Sequence, residues 1–197
     1  MTGDRIAILI VCHANVCRSP MAERVFRGAL DDQLGAGGAV VEMLSAGTAA
    51  WTARPMHPFA RAVLSEQGLD GTDFRSQRLT PALVARSDLV LTATRGQRAA
   101  VVGMEPAAVR RSFTLPQFGR LTEAVAATGP LDGDGPVARL ASLVERVPMM
   151  RGQLPVPPAE EDEIPDPIGR PIEVFRRCAG DAQRVAEVLA RVIAANR

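Results

Sequence analysis

The sequence has little of several features that define whole classes of protein. It contains three cysteines without a paired pattern, which argues against a secreted scaffold held by disulfides. Its net charge of +1 gives no bulk attraction to nucleic acid or membrane surfaces. No apolar run approaches a membrane span, and residues 4–11 are too few for the apolar part of a signal peptide. We therefore expect a cytoplasmic protein without nucleic-acid or membrane partners.

The length of 197 residues and the 47% of hydrophobic residues suit one sizeable domain, to which we assign residues 1–197. Strands are predicted near 5–11, 39–45, 88–93 and 111–115. Helices are predicted near 19–34, 57–68, 80–86, 95–102, 136–147 and 171–195. This alternation predicts a three-layer α/β fold, in which helices flank a four-stranded parallel sheet and ligands bind at the carboxyl ends of the strands.

Residues 126–163 depart from the alternation, because they are rich in glycine and proline and end in the acidic run Glu160–Glu163. We interpret them as an insertion whose tail is a mobile loop leading to Asp166. A partner-binding segment is the alternative, and the composition favours a solvated loop.

The most informative segment runs from Cys12 to Ser19. Because the chain has no lysine and 23 arginines, a cysteine followed six residues later by Arg18 is weak evidence by itself. Its surroundings strengthen it. The apolar run Ile6–Val11 predicts a buried parallel strand, and Ser19 before Pro20 predicts a helix start with serine as the cap. Strand, tight loop and helix in this order predict an anion-binding loop after the first strand, rather than a core cysteine beside a solvated arginine.

The residue types in this loop suit phosphoryl transfer. Backbone N–H groups of the loop and of the first helical turn point at one spot, and with Arg18 they favour Cys12 as a thiolate. The guanidinium of Arg18 matches two phosphoryl oxygens. Cys12 can then attack phosphorus and form a cysteinyl-phosphate intermediate. Ser19 is placed to donate a hydrogen bond to the thiolate, and Asn15 suits a left-handed loop position.

Asp166 is the candidate proton donor for the leaving oxygen. It stands between Pro165 and Pro167, which stiffen its backbone. A carboxyl group on a rigid loop suits a general acid that later acts as a base toward water. An aspartate in an ordinary turn before a helix fits these residues equally well.

Residues 11–23 and the pair Asp166-Pro167 resemble the low-molecular-weight protein tyrosine phosphatase family. Ser45–Thr48 is similar to the family's substrate-side loop, and Asp88–Leu91 resembles its third strand. The resemblance implies a compact cytoplasmic enzyme that hydrolyses phosphotyrosine in proteins through a cysteinyl-phosphate, with no cofactor and no metal. We expect a monomer or weak dimer with a phosphotyrosine-containing protein as its substrate.

The resemblance also implies roles for single residues. Cys12 would be the nucleophile, Arg18 the phosphate binder and Asp166 the proton donor. Trp51 and Ile168 would contact the substrate. The phosphate-binding residues would be His13, Ala14, Asn15, Val16, Cys17, Arg18 and Ser19.

The other two cysteines carry separate predictions. By the resemblance, Cys17 can form a reversible disulfide with Cys12, and a small buried residue at the helix start is an equally good interpretation. Cys178 lies on the apolar stripe of the predicted last helix, so we expect it in the core.

The chain departs from the family pattern at four points. Ala14 replaces a usual glycine, which would cost about 1 kcal/mol if the position has a positive φ. Ile168 replaces an aromatic residue, so one wall of the substrate slot would be aliphatic. The absence of tyrosine excludes regulation by phosphorylation of tyrosines beside the acid. His57 stands where an acidic residue is expected, and the sequence suggests no function for it.

Three other functions share these residues. Arsenate reductases with an internal thiol relay need cysteines between the loop and the acid region, and none lies between Cys17 and Cys178. A reductase that uses a small external thiol stays open. In protein arginine phosphatases the residue before the second loop cysteine tends to be threonine, so Val16 favours tyrosine. A silent phospho-ligand binder would not need Cys12, Arg18 and Asp166 together.

Overall fold

The computed structural model describes residues 5–35 and 41–195. Within them, four parallel strands form one sheet in the order β2-β1-β3-β4. The strands are β1 Ile6–Cys12, β2 Val41–Gly47, β3 Leu89–Thr92 and β4 Ser112–Thr114. The predicted four-stranded parallel sheet is thus confirmed. The prediction that β2 begins near residue 39 falls partly on residues 39–40, which lie outside the described residues.

The helices of the described residues are α1 Arg18–Leu34, α2 Pro58–Glu66, α3 Pro81–Ala85, α4 Arg95–Met104, α5 Leu115–Ala127, α6 Pro136–Arg146 and α7 Ile172–Ala194. Short 3₁₀ turns cover Pro106–Arg111, Val147–Met150 and Ala159–Glu161. None of these helices is long and apolar enough to cross a membrane. Six of the seven correspond to predicted helices.

Helix α5 was missed by the sequence analysis. Its start was assigned to a strand near 111–115, and Pro116 and Gly119 are poor helix formers. Thr114 caps the helix by accepting a hydrogen bond from the backbone N–H of Gln117 at 3.3 Å, so Pro116 falls in the first turn, where its missing N–H costs nothing. Buried side chains then follow at helical spacing: Leu115, Phe118, Leu121, Thr122 and Val125.

Strand β1 is buried along its whole length because helices cover both faces of the sheet. Alternate residues enter two cores. Ile6, Ile8 and Ile10 face the larger core with α1, α5, α6 and α7, whereas Leu9 and Val11 face a smaller core with α3 and α4. The central position of β1 places its carboxyl end, and the loop that follows, in the middle of the sheet edge.

The start of α1 differs from the prediction in one respect. The helix begins at Arg18 with Cys17 as its N-cap, and no side chain caps it. Ser19 was predicted as the cap and lies instead inside the first turn, fully buried, where its hydroxyl group contacts Cys12. The hydroxyl is therefore used by the site rather than by the helix end.

The segment 126–163 holds α6 and two of the 3₁₀ turns. Leu140, Leu143 and Val147 from it are completely buried in the larger core. The predicted helix near 136–147 is present as α6. The insertion stays a prediction, and so does the mobility of its tail, although Asp162 in that tail is 3% exposed and pairs with Arg95 and Arg120.

Candidate active site

Residues 12–19, here called the phosphate loop, leave β1 and enter α1. Asn15 has a φ of 53°, and in the described part of the chain Asn15 and Ala53 are the non-glycine residues with positive φ. The left-handed position of the loop is thus held by asparagine, the non-glycine residue that best tolerates it. Ala14 has no positive φ, so the strain considered for it does not arise.

The backbone of the phosphate loop is held by neighbouring segments. Thr48 N donates to the carbonyl of Cys12 at 3.0 Å, and Ala49 N donates to the carbonyl of His13 at 2.9 Å. A Cβ atom at Gly47 would lie 2.6 Å from that His13 oxygen and 2.8 Å from Asn15 N. Glycine at the end of β2 is therefore required for the two backbones to approach.

The side chain of Asn15 is completely buried and fully used. Its Oδ1 accepts from Gln77 N at 2.8 Å, and its Nδ2 donates to Ser19 Oγ at 2.9 Å and to Ser45 Oγ at 3.1 Å. Ser45 Oγ in turn donates to Glu23 Oε2 at 2.6 Å. A satisfied buried network of this kind fixes one loop geometry, because every alternative leaves a buried polar group unpaired.

The sulfur of Cys12 lies at the base of the loop and is 2% exposed. Asn15 N donates to Sγ at 3.3 Å, and Ser19 Oγ lies 3.0 Å from Sγ. Ser19 Oγ already accepts from Asn15 Nδ2, and its other neighbour, the carbonyl oxygen of Ala46, is farther away at 3.4 Å. The hydroxyl proton of Ser19 is therefore best directed at Sγ, where it stabilises negative charge on sulfur.

Arg18 joins the phosphate loop to residues 164–168, here called the acid loop. Its NH1 donates to the carbonyl of Ile164 at 3.2 Å, and its NH2 lies 2.9 Å from Asp166 Oδ2. Arg18 is buried, whereas the side chain of Asp166 is 51% exposed. A guanidinium has five N–H donors, so these contacts leave donors for an oxyanion.

The two loops enclose a cavity of about 260 Å³. Cys12, Arg18 and Asp166, three residues predicted to act together from opposite ends of the chain, all line it. Its full lining is Cys12, His13, Ala14, Val16, Cys17, Arg18, Asp166 and Ile168.

The two predicted substrate contacts lie in different places. Ile168 lines the cavity and is 51% exposed, and its contact with a substrate stays a prediction. Trp51 is 78% exposed, and among the described residues it does not belong to the lining. Its carbonyl accepts from Ser76 Oγ at 2.5 Å, which fixes its backbone beside the substrate-side loop. Contact between Trp51 and a substrate stays a prediction.

Cys17 and Cys178 are free, buried thiols. Burial raises the pKa of Cys17, and the nearby Cys12 and Asp166 raise it further. Burial, with Asp181 second, raises the pKa of Cys178 to about 11. Both are therefore protonated at neutral pH, which makes them poor nucleophiles. Cys178 is part of the core as predicted, and its Sγ also donates to the carbonyl of Pro165 at 3.5 Å.

His57 has a structural role that the sequence analysis missed. Its backbone N donates to the carbonyl of Val16 at 2.9 Å, and its Nδ1 accepts from Phe59 N at 3.2 Å, which caps α2. The ring also stacks on Phe175, with centroids 4.9 Å apart. The signal was present in the sequence, since a polar residue before Pro58 is typical of a helix start.

Other supporting residues were missed because they meet only in the folded chain. Ser45 and Gln77 come from separate segments and bind the side chain of Asn15, and Glu23 from a third segment accepts a hydrogen bond from Ser45. Among the residues that the structure describes, no group of three or more His, Cys, Asp or Glu side chains is arranged to hold a metal ion.

Comparison with known proteins places this arrangement in a family. Residues 7–137 match the family model described as "Low molecular weight phosphotyrosine protein phosphatase". A probable low molecular weight protein-tyrosine-phosphatase EpsP of Ralstonia solanacearum is 36% identical over 108 residues, which cover 55% of this chain and 69% of that one. A protein-arginine-phosphatase of Geobacillus stearothermophilus is 30% identical over 183 residues, 93% of each chain.

Solved structures show the same fold. The YwlE arginine phosphatase from Geobacillus stearothermophilus superposes with a TM-score of 0.65 at 28% identity, covering 94% of this chain and 91% of that one. Wzb of Vibrio vulnificus in complex with benzylphosphonate superposes with a TM-score of 0.65 at 24% identity, covering 95% and 98%. With the family model matching well over half of its length, this chain belongs to the low-molecular-weight protein tyrosine phosphatase family.

Proposed function

We propose that the protein hydrolyses phosphotyrosine in protein substrates through a cysteinyl-phosphate on Cys12. The observation that carries the proposal is the single cavity lined by Cys12, Arg18 and Asp166. A nucleophile, a fixed positive charge and a proton donor are the three groups that this hydrolysis needs. Because side chains supply all three, the mechanism requires no metal ion.

In the first step, Sγ of Cys12 attacks phosphorus while the P–O bond to the leaving phenol breaks. Arg18 and the backbone N–H groups of the phosphate loop bind the equatorial oxygens, where charge accumulates. Asp166 gives its proton to the departing oxygen, so that phenol and not phenolate leaves.

In the second step, water attacks phosphorus and the S–P bond breaks. Asp166, now a carboxylate, takes a proton from the water. The leaving sulfur carries negative charge, which Ser19 Oγ at 3.0 Å and Asn15 N at 3.3 Å stabilise. Their contacts to Cys12 support a role in this step rather than in substrate binding.

The lining of the cavity supports tyrosine over arginine as the phosphorylated residue. Ala14, Val16 and Ile168 are apolar, and Asp166 is the one acidic residue among the lining positions that the structure describes. A phenyl ring packs well against aliphatic walls, whereas the guanidinium of phosphoarginine would need further hydrogen-bond acceptors there.

Phosphoarginine is the second candidate because a protein-arginine-phosphatase is 30% identical over 93% of this chain. Two peptides that differ only in phosphotyrosine or phosphoarginine separate the candidates. We expect kcat/KM to be at least about tenfold higher for phosphotyrosine, which corresponds to about 1.4 kcal/mol. The variant Val16→Thr, which adds a hydroxyl at nearly constant volume, should narrow this ratio. A reversed ratio in the wild type would assign the protein to arginine.

The reaction itself is tested with para-nitrophenyl phosphate in the presence of a metal chelator. The wild type should turn over, and Cys12→Ser should lose turnover while it still binds a phosphate analogue. Cys178→Ser is the matched control, because a serine hydroxyl can keep the contact to Pro165. Full turnover by Cys12→Ser would contradict the proposed nucleophile.

We also propose that the enzyme acts in the cytoplasm on a phosphorylated protein, as a monomer or weak dimer. A cysteine nucleophile works only while reduced, which suits a reducing compartment. Localisation with a fluorescent fusion and light scattering of the purified protein test these two points.

A further inference from the structure

Asp162 is a buried carboxylate that no part of the proposed mechanism uses. It lies four residues before Asp166 and is 3% exposed. Arg95 Nε donates to its Oδ2 at 3.0 Å, and Arg120 NH2 donates to its Oδ1. Each carboxylate oxygen therefore has its own guanidinium, one from the start of α4 and one from α5.

The same two arginines hold the chain on both sides of Asp162. Arg95 NH2 donates to the carbonyl of Pro157 at 3.0 Å, and the backbone N of Arg95 donates to Glu163 Oε1 at 2.9 Å. Arg120 NH1 donates to the carbonyl of Glu161 at 3.5 Å. These contacts fix residues 157–163 against two helices. We call Arg95, Asp162 and Arg120 the clamp.

The base of the clamp is rigid. Arg95 is the first residue of α4, and Ala93 and Thr94 connect it to the end of β3. Thr94 and Gln97 form a reciprocal capping box at this helix start. Ile164 N donates to the carbonyl of Ala93 at 2.8 Å, so the chain that leaves the clamp is tied at once to the end of β3. A buried carboxylate is costly unless paired, so the loss of either guanidinium would loosen the segment.

The position of Asp166 depends on the clamp because Asp166 makes few contacts of its own. Its carboxylate is bound by Arg18 NH2 at 2.9 Å and by Ile168 N at 3.3 Å, and its side chain is half exposed. The prolines on either side restrict its backbone. The position of Asp166 is thus set by where Ile164 enters the acid loop, and the clamp sets that entry.

We propose that Arg95, Asp162 and Arg120 position Asp166 for proton transfer to the leaving group. The inference rests on the proposed hydrolysis. None of the three lines the cavity, so they are positioning residues that act through the acid loop. The proposal also gives the tail of the segment 126–163 a role, since Asp162 and its neighbours anchor the start of the acid loop.

The experiment compares two aryl phosphates that differ in their need for a proton. Para-nitrophenolate leaves readily, whereas phenolate from phenyl phosphate needs the general acid. The parameter is kcat/KM, because it reports the first phosphoryl transfer and not the later hydrolysis of the intermediate. For Asp162→Asn we expect a loss of about tenfold on phenyl phosphate and of less than about twofold on para-nitrophenyl phosphate, since small displacements of a catalytic group have effects of this order.

Two further variants separate positioning from a general loss of structure. In the background Asp166→Asn, the change Asp162→Asn should cost nothing more on phenyl phosphate, because the group that it positions is already gone. Arg120→Gln should show the same selective loss, and it serves where Asp162→Asn folds poorly, because Arg120 is partly exposed. Asp73→Asn removes an exposed partner of Arg24 and is the control that should show no preference between substrates.

Equal losses on both substrates, or a further loss in the Asp166→Asn background, would overturn the positioning role. Failure of the proposed function itself would give a different result, in the wild type. If the wild type hydrolyses neither aryl phosphate, the proposed function is wrong and the positioning role falls with it.

Discussion

The phosphate loop and the acid loop line one cavity but are held in different ways. The phosphate loop is fixed from within by buried hydrogen bonds that converge on Asn15. The acid loop is half exposed and is fixed from outside, by Arg18 on one side and by the clamp on the other. The comparison indicates that changes in the phosphate loop should affect folding and chemistry together, whereas changes of the exposed side chains of the acid loop, Asp166 and Ile168, should affect chemistry alone.

The largest effect is expected where the two loops meet. Arg18→Lys keeps the charge but loses the planar fork that suits phosphate, together with the paired contacts to Ile164 and Asp166. We expect kcat/KM for para-nitrophenyl phosphate to fall on the order of 10²–10³-fold. Steady-state kinetics with wild type and variant measure it. A loss below about tenfold would mean that charge, and not the fork, binds the phosphate.

The next effect isolates the acid loop. Asp166→Asn removes the proposed proton donor while it keeps the size of the side chain, so kcat/KM for phenyl phosphate should fall about 10²-fold. The loss on para-nitrophenyl phosphate should be much smaller, and the free energy of unfolding should change by less than about 0.5 kcal/mol because the side chain is half exposed. An equal loss of kcat/KM on both substrates would show that Asp166 is not the general acid.

A substitution in the phosphate loop should lower the free energy of unfolding. Asn15→Ala deletes three side-chain hydrogen bonds and places alanine, which tolerates a left-handed backbone less well than asparagine, at a φ of 53°. We expect the free energy of unfolding to fall by about 3 kcal/mol. Ile168→Ala on the acid loop is the counterpart and should change it by less than about 0.5 kcal/mol. Urea unfolding followed by circular dichroism compares them, and similar losses would erase the distinction between the loops.

The smallest effect concerns pH. The pKa of Cys178 is raised from 9.0 to about 11 by burial, so the folded protein keeps this proton where the unfolded chain releases it. The stabilisation from the protonated thiol is therefore complete below pH 9 and is lost as the pH rises toward 11. Cys178→Ala should make the free energy of unfolding fall less steeply between these values. An unchanged slope in urea unfolding series would show that the thiol does not contribute.

Much of the fold and the phosphate loop could be predicted because both depend on local patterns. The run Ile6–Val11 and the sequence Cys12–Pro20 specify strand, loop and helix within a short stretch. Helix α5 could not be predicted in the same way. Pro116 and Gly119 have low helix propensity, and the helix is stabilised by the packing of its buried side chains. The exposed position of Trp51 was equally beyond local patterns, because it depends on how its loop docks against Ser76.

The surroundings of the acid loop could be predicted least. The sequence predicts that Asp162 belongs to a solvated acidic run. In the structure it is buried between Arg95 and Arg120, which lie 67 and 42 residues away along the chain. Ion pairs over such separations leave no periodic signal. The candidate nucleophile could thus be proposed from the sequence, whereas the residues that hold the candidate proton donor could be found only in the folded chain.

The central claim is that phosphate passes through the sulfur of Cys12. The direct measurement is rapid quenching of Asp166→Asn with radiolabelled para-nitrophenyl phosphate, followed by peptide mapping. Because the leaving group needs no acid and the second step has lost its base, we predict a burst of para-nitrophenol equal to the enzyme concentration. Sequencing of the labelled peptide should place the label on Cys12 and not on Cys17, which lies in the same peptide. Turnover without a burst, or label on another residue, would contradict the claim.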